Sequence, residues 1–136
     1  MKLYCSLLAA FVLVAAGESF AAAPDQVGTW VGSLKTKVRT TSGTRSVKSV
    51  MQLEIAADDT TTVTLDGVLQ LGSSGDYIPG EAFFVYVDIS GAPNIKQTFA
   101  VAHFKGTKVK GATSGITIGT GLVETFDGKF NLKKQP

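Results

Sequence analysis

Residue types that build catalytic and metal sites are scarce in this chain. Its 136 residues include one cysteine, Cys5, one histidine, His103, and one tryptophan, Trp30. A single histidine and a single cysteine cannot supply the several nitrogen or sulfur ligands of a zinc site. The sequence also has no Gly-x-Ser-x-Gly nucleophile motif and no phosphate-binding glycine motif that leads into a helix. We therefore expect no enzyme activity, no metal and no cofactor.

Charged residues are also few and nearly balanced. They make up 18% of the chain, and 13 basic against 11 acidic side chains give a net charge of +2 at pH 7. Domains that bind nucleic acids usually carry a strongly basic face. The balance of charge therefore gives no support for nucleic-acid binding.

The N-terminal segment has the pattern of a signal peptide. Lys2 provides the positive charge, residues 7–16 the apolar run, and Ser19-Phe20-Ala21 the small residues before a cleavage site. The apolar run is too short for a permanent membrane anchor. We predict a signal peptide over residues 1–21 and a single domain over residues 22–136, secreted or periplasmic. Because the only cysteine lies in the leader, the exported domain has no disulfide and depends on its own core.

The pattern after the leader is that of β-strands. Apolar and polar residues alternate between clusters of Gly, Ser, Asp and Pro, and no segment shows a helical period. A turn at residues 42–43 pairs Leu34 with Met51, and the next turn pairs Leu53 with Leu65. These four apolar side chains then share one face, while the polar residues between them take the other.

The middle of the chain predicts a hairpin that is apolar on both faces. A loop through the proline at position 93 pairs Val85 with Phe99 and Glu81 with His103. With the larger aliphatic side chains turned inward, the residues that face the interior are Glu81, Phe83, Val85, Phe99 and His103. The opposite set then faces outward: Phe84, Tyr86, Ala100 and Ala102.

The last third is rich in glycine, which weakens strand propensity and can mark bulges. We predict strands over residues 107–113 and 116–126. Asp127-Gly128 is the strongest hairpin signal in the chain, and a last strand follows through Phe130 and Leu132.

These strands predict an all-β fold, an antiparallel eight-stranded up-and-down meander barrel. Closing the sheet removes exposed edges, and eight strands enclose either packed side chains or one small ligand. A two-sheet β-sandwich would use the same hairpins and is the alternative. An outer-membrane barrel is disfavoured, because the first two strands carry lysine and arginine where lipid would lie.

Gly28-Thr29-Trp30, at the start of the first strand, resembles the Gly-x-Trp signature of the calycins, which include lipocalins, fatty-acid-binding proteins and avidins. The resemblance implies a ligand-binding barrel in which Trp30 closes one end. It further implies that a basic residue of the last strand, Lys133 or Lys134, packs across the tryptophan. Biotin binding is not expected, because the chain has no second tryptophan.

Glu81 and His103 are the most specific candidates for a polar site. The predicted register places this carboxylate beside the only histidine, on the inward side at one end of the barrel, where the pair could transfer a proton or bind a polar ligand group. The alternative is an ordinary polar closure of the barrel mouth. The expected ligand-binding residues are Trp30, Glu81, Phe83, Phe99 and His103.

The first hairpin predicts a basic outer surface. Its outward face gathers Lys35, Lys37, Arg39, Arg45 and Lys48 without an acidic residue among them. Such a row could attract an anionic polysaccharide, a lipid headgroup or an acidic protein. More often such a row is a solvated face that discourages strand pairing.

Two functions fit these features. The first is an exported protein that binds a small, largely apolar ligand in the barrel interior. The alternative is a protein-interaction module, such as a protease inhibitor or an envelope assembly factor, that acts through its outer surface. Its interface, used for a homodimer or a protein partner, would be the outward apolar residues of the fourth and fifth predicted strands: Phe84, Tyr86, Ala100 and Ala102.

Overall fold

The computed structural model describes residues 22–119 and 121–136, without the side chain of Leu122. The predicted signal peptide, residues 1–21, lies outside this part of the chain. Within it, no helix is long and apolar enough to span a membrane. The described strands are β1 (Gly28–Thr40), β2 (Gly43–Ile55), β3 (Thr61–Leu65), β4 (Val68–Leu69), β5 (Leu71–Ile78), β6 (Glu81–Asp88), β7 (Ile95–Lys105), β8 (Lys108–Gly119) and β9 (Leu122–Lys134).

All nine strands belong to one antiparallel sheet, in the order β4-β3-β2-β1-β9-β8-β7-β6-β5. The first long strand pairs with the last, so that Trp30 lies opposite Lys134 and Arg39 lies opposite Thr125. This pairing rolls the sheet into a nearly closed up-and-down barrel. The predicted all-β meander barrel is therefore confirmed, with nine strands in place of eight. Because the strands form one continuous sheet, the two-sheet sandwich is excluded.

The barrel has a seam where the two ends of the sheet meet, between β3 and β5. Side chains rather than a backbone ladder join the two strands there: the hydroxyl groups of Thr61 and Tyr77 share a buried hydrogen bond. Gly75 lies beside both hydroxyls, and a Cβ at this position would be 2.9 Å from each of them. Residues 72–75, although rich in glycine and serine, are part of β5 rather than a turn. The chain turns instead at Gly67 and Gly80, both of which have positive φ.

The first two hairpins have the predicted faces but shifted registers. Leu34 lies opposite Ser49 rather than Met51, and Leu53 lies opposite Val63 rather than Leu65. Each shift is two residues, because the turns begin earlier than predicted. Since side chains alternate with a period of two, an even shift leaves the apolar side chains and the lysines on their predicted faces.

The β6–β7 hairpin has the predicted register and the opposite faces. Val85 lies opposite Phe99, as predicted, but the buried side chains are those at even positions. The ring of Phe84 packs inside the barrel against that of Phe130, with 6.2 Å between their centroids. Local alternation could not choose between two apolar faces, and the choice is made by this contact with the last strand.

Strands β8 and β9 continue through the positions where the sequence predicted breaks. Asp127 and Gly128 lie in the middle of β9, opposite Lys37 and Thr36 of β1, so the predicted turn is wrong. The preference of a dipeptide for a turn is local, and here it is outweighed by pairing with β1 on one side and β8 on the other. The turn lies instead between β8 and β9, where Gly121 has a φ of +69°.

Glycines in β8 make room for rings of β9. A Cβ at Gly111 would lie 2.2 Å from Cζ of Phe130, and a Cβ at Gly115 would lie 2.4 Å from Cζ of Phe126. Aromatic rings that cover glycine backbone on a paired strand stabilise a sheet despite the weak strand propensity of glycine. The register of β8 with both neighbours is uninterrupted, so these glycines do not mark bulges.

We expect Gly111→Ala to lower the free energy of unfolding by about 1–3 kcal/mol, the cost of overpacking a filled core. The added Cβ would meet the Phe130 ring and the carbonyl oxygen of Val101, which lies 2.3 Å away. Urea denaturation measures the change. The control is Ala112→Val on the exposed face of the same strand, which should change stability by less than about 0.5 kcal/mol. An unaltered denaturation midpoint for Gly111→Ala would contradict this packing.

Candidate functional site

Trp30 closes one end of the barrel. Its side chain is fully buried, its indole N–H donates to the carbonyl oxygen of Gln26 at 3.0 Å, and its ring meets that of Phe104 edge to face at 5.1 Å. Of the two predicted basic residues, Lys134 packs across it, with Nζ 5.5 Å from the ring centroid. A Cβ at Gly28 would lie 2.9 Å from Cε of Lys134. The glycine of the Gly-x-Trp signature therefore makes room for the lysine.

Gln26 completes this closure and was not predicted. Its side chain is fully buried and donates to the carbonyl oxygens of Ile78 at 3.0 Å and Glu81 at 3.2 Å. Its amide oxygen accepts a hydrogen bond of 2.7 Å from the backbone N–H of Ala23. The segment before β1 is thus held across the end of the barrel, on the turn between β5 and β6. No local pattern marks a single polar residue in a short segment as buried.

Glu81 and His103 lie opposite each other in the predicted register, but on the outer surface. His103 Nδ1 is 3.4 Å from Glu81 Oε2, and the two side chains are 62% and 42% exposed. Phe83 and Phe99 share that outer face, at 54% and 58% exposed. The predicted inward orientation of these four residues is wrong, because β6 and β7 turn their even positions inward.

The four residues predicted for an outer interface lie inside the barrel instead. Phe84, Tyr86, Ala100 and Ala102 are each no more than 2% exposed. The two alanines leave space on β7 for the aromatic rings of β6 and β9, so the interior combines large with small side chains. The predicted outward orientation is therefore wrong.

The end of the barrel away from Trp30 contains a cavity of about 260 Å³. It lies between β1, β2, β3 and the strands that face them across the interior. Its polar lining comes mainly from β6 to β9, and its apolar lining comes mainly from the opposite wall. The apolar residues are Leu34, Val38, Val47, Leu65, Val68 and Phe126. The barrel interior is thus packed at the Trp30 end and hollow at the other, which we call the mouth.

Two buried hydroxyl groups line the mouth cavity without a hydrogen-bond partner among the described residues. They belong to Tyr86 and Thr117, each 1% exposed. Thr98 lies opposite Tyr86 on β7, but its hydroxyl is outside hydrogen-bonding geometry with that of Tyr86. Nearly all buried polar groups in proteins are hydrogen-bonded to protein or to water, so two hydroxyls without a protein partner make this cavity a candidate site.

An ion pair crosses the mouth beside these hydroxyls. Glu124 is 7% exposed, and its Oε2 accepts a hydrogen bond of 3.2 Å from Nη1 of Arg45. The predicted basic face included Arg45, but this residue shares the inward face of β2 with Met51 and Leu53. Because the charges of Arg45 and Glu124 compensate each other, the ion pair adds polarity to the cavity rim without adding net charge.

Comparison of the chain with protein-family models, curated proteins and solved structures found no match. Within residues 22–119 and 121–136, no group of three or more His, Cys, Asp or Glu side chains is arranged to hold a metal ion. The mouth cavity, with its two hydroxyls that have no protein partner, is therefore the candidate functional site.

Sequence alternation could have found part of this site. Glu124 has the same parity as Phe126, Phe130 and Leu132, which would place it inward on one uninterrupted strand. The predicted turn at Asp127-Gly128 broke that strand and hid the relation. Thr117 and Tyr86 had no such signal, because a polar side chain inside a barrel is revealed only by what surrounds it.

Burial raises the pKa of Tyr77 and of Tyr86 above the usual tyrosine value of 10.0. The unfolded chain therefore releases these protons at a lower pH than the folded protein does. We expect the free energy of unfolding to hold below about pH 10 and to fall above it, by up to about 1.4 kcal/mol per pH unit for each tyrosine.

Urea denaturation between about pH 9 and pH 12 measures this slope, and Tyr86→Phe is the comparison that removes the contribution of lysine titration. The variant should lose less stability per pH unit than the wild type. Equal slopes in the two proteins would show that Tyr86 ionises in the folded state as readily as in the unfolded chain.

Proposed function

We propose that this protein binds a small, largely apolar ligand that carries one uncharged polar group, and that the mouth cavity holds it. The observation that carries the proposal is the pair of unpaired hydroxyls of Tyr86 and Thr117, both buried on the cavity wall. A hydroxyl can both donate and accept. A ligand hydroxyl or carbonyl would therefore satisfy groups whose burial without a partner costs about 1–3 kcal/mol each.

The size of the cavity limits the ligand. An apolar protein cavity of about 150 Å³ is large enough for benzene. The mouth cavity, at about 260 Å³, has room for a ligand of roughly ten non-hydrogen atoms, and is smaller than a typical site for drug-sized molecules. Short aliphatic or single-ring compounds fit this volume, whereas long-chain lipids exceed it.

The two walls of the cavity suit an amphipathic molecule. The apolar body would lie against the side chains of Leu34, Leu65 and Phe126, and the polar group would point to Tyr86 and Thr117. The charge of Glu124 is already compensated by Arg45, which favours an uncharged polar group over an ionised one, because an unpaired charge is costly to bury. We propose binding rather than catalysis as the role of this site.

Membership of a calycin-like group of exported binding barrels is consistent with this function. The contact of Lys134 with Trp30, and the space that Gly28 leaves for it, support the resemblance carried by Gly28-Thr29-Trp30. The predicted signal peptide at residues 1–21 supports a secreted or periplasmic location. In that setting the protein would carry or sequester its ligand outside the cytoplasm.

Isothermal titration with 1-hexanol, 1-octanol and phenol tests the proposal, because each combines an apolar body with one hydroxyl. We expect saturable binding with one site per chain. Tyr86→Phe and Thr117→Val should each weaken it by up to about tenfold, the value of one hydrogen bond. Neither should destabilise the fold, because each removes a hydroxyl that has no partner among the described residues.

Tyr77→Phe is the matched control. Tyr77 is as buried as Tyr86, but its hydroxyl bonds to Thr61 and it does not line the cavity. This variant should lose about 1 kcal/mol of stability and keep full affinity. His103→Ala on the outer surface should change neither property. Wild-type affinity in both Tyr86→Phe and Thr117→Val would remove the mouth cavity from consideration.

A second candidate function is a protein-interaction module, favoured by the apolar outer surface of β6, β7 and β8. Phe83 and Phe99 lie there on neighbouring strands, more than half exposed, and Ile95 and Ile118 extend the surface toward the mouth. Contiguous exposed apolar surface commonly marks an interface. It replaces the interface predicted from Phe84 and its neighbours, which are buried.

If this surface forms a homodimer, sedimentation equilibrium should give twice the chain mass at high micromolar concentration. Phe83→Ser with Phe99→Ser should return the protein to a monomer, because the substitutions remove the largest exposed apolar side chains of the surface. Val50→Ser, at an exposed apolar position on β2, is the control. A monomeric wild type would leave only a different partner protein for this surface.

A further inference from the structure

The outer surface of β2, β1 and β9 carries a row of three lysines in register. Lys35 lies directly opposite Lys48 on one neighbouring strand and Lys129 on the other. All three are exposed, as is Lys37, two residues along β1. Neighbouring strands lie about 5 Å apart, so the row crosses about 10 Å of the sheet.

These lysines lie together at an electrostatic cost. Like charges directly opposite each other on paired strands destabilise a sheet. Among the described residues, no acidic side chain is within 4.0 Å of the four lysine amines. The nearest acid along β9, Asp127, is engaged by Arg39, with Nη1 2.8 Å from Oδ1. Asp127 lies opposite Lys37 and lines the same cleft, so the charge without a nearby acid is that of Lys35, Lys48 and Lys129.

The row lies in a cleft rather than on a flat surface. The cleft has a volume of about 570 Å³ and opens to solvent. Lysine side chains from the three strands line it together with Asp127, and the lysine methylenes make its wall apolar below the amines. A single phosphate or sulfate ion would fill only a small part of this space. The dimensions favour a chain that carries several anionic groups.

We propose that this lysine cleft, defined by Lys35, Lys37, Lys48 and Lys129, binds a linear anionic polysaccharide. The lysine amines pair with its carboxylate or sulfate groups, and the lysine methylenes contact its C–H surfaces. A flat membrane surface matches the concave shape poorly. An extended acidic peptide could not add a strand between these lysines, because β1 and β9 are paired on both sides along the row.

The test uses heparin as a sulfated probe and polygalacturonate as a carboxylated one, with affinity measured by isothermal titration at low salt. Combined Lys35→Gln, Lys48→Gln and Lys129→Gln should weaken binding by about tenfold or more, from the loss of three exposed ion pairs. Raising the salt concentration should weaken the wild type more steeply than this variant.

The matched control is Lys105→Gln, Lys108→Gln and Lys133→Gln. These lysines form a second exposed row in register across β7, β8 and β9, and they do not line the cleft. The control removes the same charge with the same cross-strand geometry. It should weaken polysaccharide binding by less than about threefold, through loss of general attraction alone.

Relief of repulsion should leave the cleft variant at least as stable to heat as the wild type. If it does not fold, Lys35→Gln alone, at the centre of the row, provides the measurement. Equal weakening by both triple variants, or wild-type affinity in the cleft variant, would overturn the proposal. Binding to poly-glutamate or to phosphatidylglycerol vesicles without binding to either polysaccharide would overturn it too.

Discussion

The pairing of β1 with β9 is the constraint on which the rest of the barrel depends. It joins strands from opposite ends of the described chain, so closing the intervening loop has a large cost in conformational entropy. Only the contacts of the complete sheet compensate this cost. The same ladder places Lys134 over Trp30 and Lys129 beside Lys35. Both the closed end of the barrel and the basic cleft on its surface are therefore products of one long-range contact.

Sequence periodicity predicted the parts of the fold in which one face is clearly more polar. In β1 and β2 the lysines oppose the apolar residues, and the faces were right except for Arg45, although the registers were shifted by two. In β6 both faces are apolar, so the choice between Phe83 and Phe84 belonged to tertiary packing against Phe130. Likewise, the turn preference of Asp127-Gly128 was outweighed by a strand that has partners on both sides.

The candidate site was harder to predict than the fold, because its residues are defined by enclosure. The pairing of Glu81 with His103 was predicted, yet an inverted face moved both to the surface. No feature of the sequence distinguishes Tyr86 and Thr117 from ordinary strand residues. Their importance depends on a hollow that exists only because β6 to β9 close against β1 to β3. A sequence can thus predict which residues pair before it predicts which side of the sheet becomes the inside.

At the seam between β3 and β5, the barrel is closed by side chains rather than by a backbone ladder. Its two edge strands are unsuited to pairing with other chains, since β4 has two residues and β5 is interrupted between Leu71 and Ser74. Side chains join β3 and β5: Val63 and Tyr77 belong to the common core, and the hydroxyl groups of Thr61 and Tyr77 share a hydrogen bond. Loss of these two hydroxyl groups would therefore loosen the seam at one point while leaving every backbone ladder of the sheet intact.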